Sequence, residues 1–305
     1  MAGNKTGEII SAYDGLKLSL LWTEPEGEIK GVVQISHGMS ENKERYLPFM
    51  EYLAAHGYAA VIHDHRGHGK SVRDNGDLGY FYNGGRKGIT EDLYQVSCWI
   101  QERFGQITLY LLGHSMGTLV VRNYLKSYDK LPRKVILTGP PSRNSGAGFG
   151  LLIAQAEKAI LGGRHRSRGI HFMAFGPYVA RFSGRKSPSA WICSDPEVVE
   201  AYDQSPYCGF IFTADGFRGL FQLLREAYRA KGWKLENPDL PILFLGGQED
   251  PCIGGGRRFV KQLQFLKKVG YRKVTGKLYP GMRHEILNER GKEEVYANIL
   301  SYLEK

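Results

Sequence analysis

The pentapeptide Gly113-His114-Ser115-Met116-Gly117 constrains this chain more than any other stretch. It fits G-x-S-x-G, a pattern whose meaning depends on what flanks it. Residues 107–112 (Ile-Thr-Leu-Tyr-Leu-Leu) are a short apolar run rich in β-formers, which predicts a buried parallel strand. Residues 118–125 repeat apolar side chains at helical spacing. Strand, tight turn and helix put Ser115 at the tip of the turn, in a strained backbone conformation. Gly113 and Gly117 are required because a side chain at either place would collide with the neighbouring strand or helix. The hydroxyl then stands free above helix N-terminal amides, which favour negative charge.

Strands alternate with helices on both sides of this turn. Residues 8–11 and 16–22 flank Tyr13-Asp14-Gly15, a turn signal that predicts an antiparallel opening hairpin. Buried strands are predicted at 31–36, 58–63 and 134–138. Helices are predicted at 45–57 and at 91–103, the second capped by Thr90. This alternation predicts right-handed βαβ crossovers and a mainly parallel sheet, the α/β class. The rhythm breaks over 142–238, where helical patterns such as 150–161 and dense aromatics replace buried strands. A helical cap, 142–238, is expected over a core built from 1–141 and 239–305. A few cap aromatics should line an acyl pocket. Strands resume at 241–247 and 274–279, with helices at 256–269 and 289–303.

Charge enters the argument through partners. The chain has 305 residues, with 41 Lys+Arg against 31 Asp+Glu, a formal charge of +10. The densest basic cluster is Arg164-His165-Arg166-Ser167-Arg168, followed by Arg181, Arg185 and Lys186. It is expected to be a solvated loop, with transient attraction to an anionic lipid surface as the functional alternative. Nucleic acid is not expected, because no helix-turn-helix, zinc or RNA-binding signature is present. Cysteines 98, 193, 208 and 252 include no C-x-x-C pair, which points to reduced thiols in a cytoplasmic protein. The polar start has no apolar signal region, and no stretch reaches membrane-spanning length.

A serine hydroxyl barely ionises at neutral pH, so it needs a base, and the base needs a carboxylate to fix its tautomer. In a parallel sheet such groups belong on loops beyond strand C-termini. Asp250, after the 241–247 strand, and His284, after the 274–279 strand, meet that test. The order Ser115, Asp250, His284 is that of a serine, acid and histidine triad. Glu249 should point away if Asp250 points inward, and Asp239 precedes its strand. The backbone N–H groups of Met116 and Met39 are the candidate oxyanion donors. His63, His65 and His68 lie near Asp64 without converging open ligand geometry, so neither a metal nor a cofactor is expected. Cys252 is expected to be a passive thiol.

The chain resembles the α/β-hydrolase superfamily, and within it the monoacylglycerol lipase and lysophospholipase group of serine aminopeptidase-like hydrolases. The matching pieces are His37-Gly38-Met39, Asp64 to Ser71, Gly113 to Gly117, Gly246 to Pro251 and Gly281 to His284. The resemblance implies an α/β-hydrolase fold and an esterase or lipase acting on a small ester, monoacylglycerol or lysophospholipid. The animal lipases of the group have a small residue where Met39 stands, which would narrow the acyl side here. Two alternatives stand beside this reading. A peptidase removing N-terminal residues would need a carboxylate such as Glu197, Glu200 or Asp203 for the substrate's ammonium. A non-catalytic binding protein on the same scaffold would have lost a triad member.

Overall fold

In the computed structural model, which describes residues 3–305, the apolar runs join in one sheet. The reading of the N-terminus includes Met1 and Ala2, which lie outside the described residues. The strands are β1 (Asn4–Ile10), β2 (Lys17–Thr23), β3 (Gly31–Ser36), β4 (Tyr58–His63), β5 (Leu109–His114), β6 (Lys134–Thr138), β7 (Ile242–Gly247) and β8 (Val274–Tyr279). Their order is β1-β2-β4-β3-β5-β6-β7-β8. β2 is antiparallel to both β1 and β4, and every pair from β4 to β8 is parallel. The opening hairpin and the parallel α/β sheet are thus as expected. The serine's strand lies two residues later than its apolar run, because Gly113 and His114 continue the pairing with Leu137 and Thr138.

Period-two alternation sends each strand's side chains to two faces. Leu111, Val135 and Leu137 pack on one face under α2 (Gly85–Phe104), α3 (Met116–Tyr128) and α8 (Gly256–Val269). Leu112 and Ile136 pack on the other, under α1 (Leu47–Ala55) and α9 (Lys292–Glu304). Each such aliphatic side chain contributes about 1.5–3 kcal/mol by leaving water. Four further helices lie between β6 and β7: α4 (Ala147–Leu161), α5 (Arg168–Arg181), α6 (Pro196–Gln204) and α7 (Ala214–Ala227). No helix of the described residues is long and apolar enough to cross a membrane.

Three expectations need correction. Thr90 does not cap α2, which begins at Gly85; its Oγ1 donates to the Arg86 carbonyl at 2.8 Å, as a threonine inside a helix can. The closing helix starts at Lys292, after a left-handed Gly291. The basic cluster is only in part a solvated loop. Arg164 pairs with Asp77 at 2.7 Å, and Arg166 donates to the carbonyls of Leu78 and Ile211.

The segment after β4 is a structural staple. Asp64 is buried and accepts from Lys43 Nζ at 2.5 Å and from the Lys70 N–H at 2.9 Å. Arg66 is 0 % exposed and binds Asp92 of α2 and Asp14 of the first turn, each at 2.7 Å. Removing Asp92 would leave the buried guanidinium with Asp14 alone, which is partly exposed, and without its fully buried counter-charge. Asp92→Ala is therefore expected to destabilise the fold by about 3–5 kcal/mol in urea denaturation; an unchanged midpoint would contradict the staple.

Candidate active site

The turn at Ser115 is held by close approach. A Cβ on Gly117 would lie 1.9 Å from the Ser36 carbonyl oxygen, and one on Gly113 would lie 2.8 Å from the Gly117 oxygen. Helix α3 can therefore begin against the end of β3 only with glycine at both places. Squeezed between them, Ser115 has φ 50° and ψ −118°, a region that costs a non-glycine residue of order 1–3 kcal/mol. Its N–H donates to the Thr138 carbonyl at 2.9 Å, which ties the turn to β6.

Parallel pairing puts the ends of β3, β5, β7 and β8 on one edge of the sheet, and the predicted residues gather there. Asp250 is fully buried. It accepts the Cys252 N–H at 2.7 Å and hydrogen-bonds His284 Nδ1 at 2.9 Å. Burial opposes charge on the His284 ring, but the Asp250 carboxylate outweighs it, and the pKa is raised above 6.5. Ser115 and His284 line one cavity of about 240 Å³. The rivals of Asp250 lie elsewhere. Glu249 is exposed and 3.7 Å from Arg283, and Asp239 is exposed and paired with Arg272.

The loop after β3 brings Met39 to the same cavity. Neither the Met39 nor the Met116 N–H has an acceptor among the described residues, whereas Gly38 N–H donates to Glu41. Gly38 is needed on space alone: a Cβ there would meet Glu41 Oε1 at 2.6 Å and Ser115 Cβ at 3.2 Å.

Two features of the site have little trace in the sequence. Arg45 binds Glu41 at 2.8 Å and clasps both oxygens of Glu285, at 2.7 and 2.6 Å, joining the Met39 loop to the His284 loop. His114, the first of the two variable residues of the pentapeptide, lies 4.9 Å from the His284 ring, and burial pushes its pKa down to about 3. It stays neutral beside a ring whose own pKa is raised. The Glu41–Arg45 spacing of four hints at the first contact; nothing local points to Glu285.

The histidine cluster is an internal prop. His37 Nδ1 bonds the Gly38 carbonyl at 2.8 Å, and its Nε2 accepts the His65 N–H at 2.8 Å. Burial depresses the pKa of His63 to about 3 and of His68 to about 4. A different trio, Asp250, Cys252 and His284, brings its ligand atoms within 4.8 Å of one another. Burial, with Asp250 beside it, pushes the Cys252 thiol well up, so it remains a protonated, weak ligand.

Comparison with known proteins gives the family and the fold. The family described as serine aminopeptidase, S33, matches residues 27–291. The chain belongs to that family. It is a serine ester hydrolase with the α/β-hydrolase fold. A monoacylglycerol lipase of Mycolicibacterium smegmatis is 26% identical, covering 93% of this chain and 91% of its own. A phospholipase of Bacillus subtilis, YtpA, is 25% identical over 90% of this chain and 96% of its own. A carboxyl esterase from Bacillus coagulans has the same fold, with TM-score 0.89, 24% identity and coverage of 100% and 99%.

The raised His284 pKa has a defined consequence. With His284 as the proposed base, its ring must be neutral to accept a proton from Ser115, so turnover should fall as pH drops through a value above 6.5. Asp250→Asn removes the cause of the rise. It should move that acid limb to lower pH and cut kcat by roughly 10³–10⁴-fold. An acid limb that stays in place in the variant would contradict the assignment.

Proposed function

We propose that this hydrolase works through an acyl-enzyme on monoacyl lipids, monoacylglycerol or lysophospholipid, or similar small esters. The supporting observation is that His284 donates from Nδ1 to a buried Asp250 and shares a cavity with a strained Ser115. Ser115 Oγ attacks the ester carbonyl carbon while His284 Nε2 takes the hydroxyl proton. Charge on the former carbonyl oxygen meets the N–H groups of Met39 and Met116. The imidazolium gives its proton to the leaving alcohol as the C–O bond breaks, and Ser115 is left acylated. Water then repeats the sequence and releases the acid.

Helices α4 to α7, within 142–238, act in this reading as a cap on the core of 1–141 and 239–305. Phe175, Tyr178 and Val179 of α5, with Leu220, Phe221 and Leu224 of α7, give the cavity an apolar roof that suits an acyl chain. The names of the monoacylglycerol lipase and phospholipase relatives fit the same substrate class. The peptidase reading lacks its anchor. Glu197, Glu200 and Asp203 do not line the cavity, and Asp203 accepts from Ser189 at 2.6 Å. Glu41 and Glu285 do line it, but their oxygens are engaged by Arg45, by the Gly38 N–H and Tyr46 O–H, and by Asn288 Nδ2. Free thiols at all four cysteines fit a reducing, cytoplasmic setting.

The cap also carries the surface for a lipid aggregate. Large apolar side chains stand exposed on its outer helices: Phe149, Leu152 and Ile160 on α4, and Phe172 and Met173 on α5. Arg168, on the same helix, has no ion-pair partner among the described residues. Exposed apolar side chains with Arg168 on the same helix fit brief contact with an anionic membrane.

Ser115→Ala should abolish hydrolysis across a panel of aryl, monoacylglycerol and lysophospholipid esters while the fold is kept; residual turnover of more than about 1% would contradict the serine's role. In the same panel Met39→Ala should shift the optimum toward longer acyl chains, since Met39 walls the cavity beside Ser115. An unshifted optimum would remove Met39 from the acyl side. Sedimentation with vesicles of anionic and zwitterionic lipid tests the surface contact. Phe149→Ser/Phe172→Ser should lose anionic-vesicle binding and keep turnover of a soluble ester, whereas undiminished binding would contradict the assignment.

A further inference from the structure

A second cavity, of about 330 Å³, lies where the first half of α2 meets the C-terminal ends of α3 and α7. It shares no wall residue with the ester cavity. Five cations line it, Arg86, Lys87, Lys126, Arg229 and Lys231, against two carboxylates, Glu91 and Glu226. Both carboxylates are already engaged. Glu226 accepts from Lys126 at 3.2 Å and from Arg229 at 3.1 Å, and Glu91 accepts from the Tyr128 hydroxyl at 2.9 Å. Arg86, Lys87 and Lys231 form no ion pair among the described residues.

The arrangement is electrostatically uneasy without a partner. Arg86 and Lys87 stand in the first turn of α2, where the helix dipole disfavours cations. Burial pulls the Lys126 pKa down, and although Glu226 opposes this, Arg86 and Arg229 add to the fall. Local conflicts of this kind mark places where something outside the chain supplies the compensation. A neutral contact is open as well. Asn123 is 3% exposed and lines the cavity; its Nδ2 donates to the carbonyls of Leu119 and Leu223, and its Oδ1 has no partner.

We propose that this cavity binds a small organic phosphate, with Arg86, Lys126 and Lys231 on the phosphate and Asn123 and Ser127 on the hydroxyls of its carbon skeleton. A guanidinium fork and two ammonium groups match the charge and the spread oxygens of a phosphate dianion. The excess of cations over carboxylates on these walls is what such a dianion would neutralise. The site does not depend on the ester chemistry proposed above, since its walls are separate.

The test is a titration of the full chain with inorganic phosphate and with glycerol 3-phosphate, read by calorimetry and by thermal melting, against sodium chloride at matched ionic strength. Saturable heat and a saturable rise in Tm are expected, with glycerol 3-phosphate the tighter of the two. Arg86→Gln/Lys231→Gln should weaken both by roughly tenfold or more. It should also leave the ligand-free Tm unchanged or raised, because it removes crowded cations. Arg103→Gln/Lys277→Gln, which removes the same charge elsewhere on the surface, should bind like the parent. A response equal to that of chloride, or equal in the two double variants, would overturn the site, and so would a fall in the ligand-free Tm of Arg86→Gln/Lys231→Gln.

Discussion

The whole arrangement hangs on one close approach, that of the first turn of α3 to the end of β3. With the Ser36 carbonyl oxygen where it is, residue 117 has no room for a side chain, and the chain must turn within two residues of Gly113. Ser115 takes the positive φ that this turn demands. The strain is carried by the pairing of β5 on both sides, with β3 and with β6, and by the burial of all six of its residues. A loosely packed sheet would relax the turn and lose the serine's placement.

The rest of the site is assembled by parallel topology. Because the central strands run the same way, their following loops collect at one edge, and groups from residues 38 to 284 meet there. Arg45 stiffens the meeting point. It is held between Glu41 and Glu285, both buried, so the Met39 loop and the His284 loop share one cation. Tyr46 O–H and Gly38 N–H also donate to Glu41. The α4–α7 region is tied to the same loops: Arg283 donates to the carbonyls of Ala190 and Cys193, and Trp191 lies 5.0 Å from the His284 ring. Movement of that region therefore reaches His284 directly.

Much of this was legible in the order of residues, for a physical reason. Strands such as Gly31–Ser36, Tyr58–His63 and Val274–Tyr279 are short runs with clear ends, and their limits agree with the structure. The wedge of glycines follows from sterics that act within five residues. What is not legible is set by distance along the chain. Arg45 and Glu285 are 240 residues apart, and no local pattern announces their pairing. The start of α2 was hidden because Arg86 and Lys87 break the apolar period there. Arg166 read as solvated because its acceptors are backbone carbonyls, which carry no side-chain signature, and Asp77, the carboxylate that holds Arg164, lies 87 residues away.

The central claim is that a strained serine hydroxyl passes its proton to a carboxylate-anchored imidazole. The most direct measurement is the rate and position of covalent modification by a fluorophosphonate, followed by intact mass and peptide mapping. The account predicts a single adduct on Ser115, with the rate collapsing when His284 is replaced by alanine. An adduct on another residue, or a rate that survives the loss of His284, would contradict it.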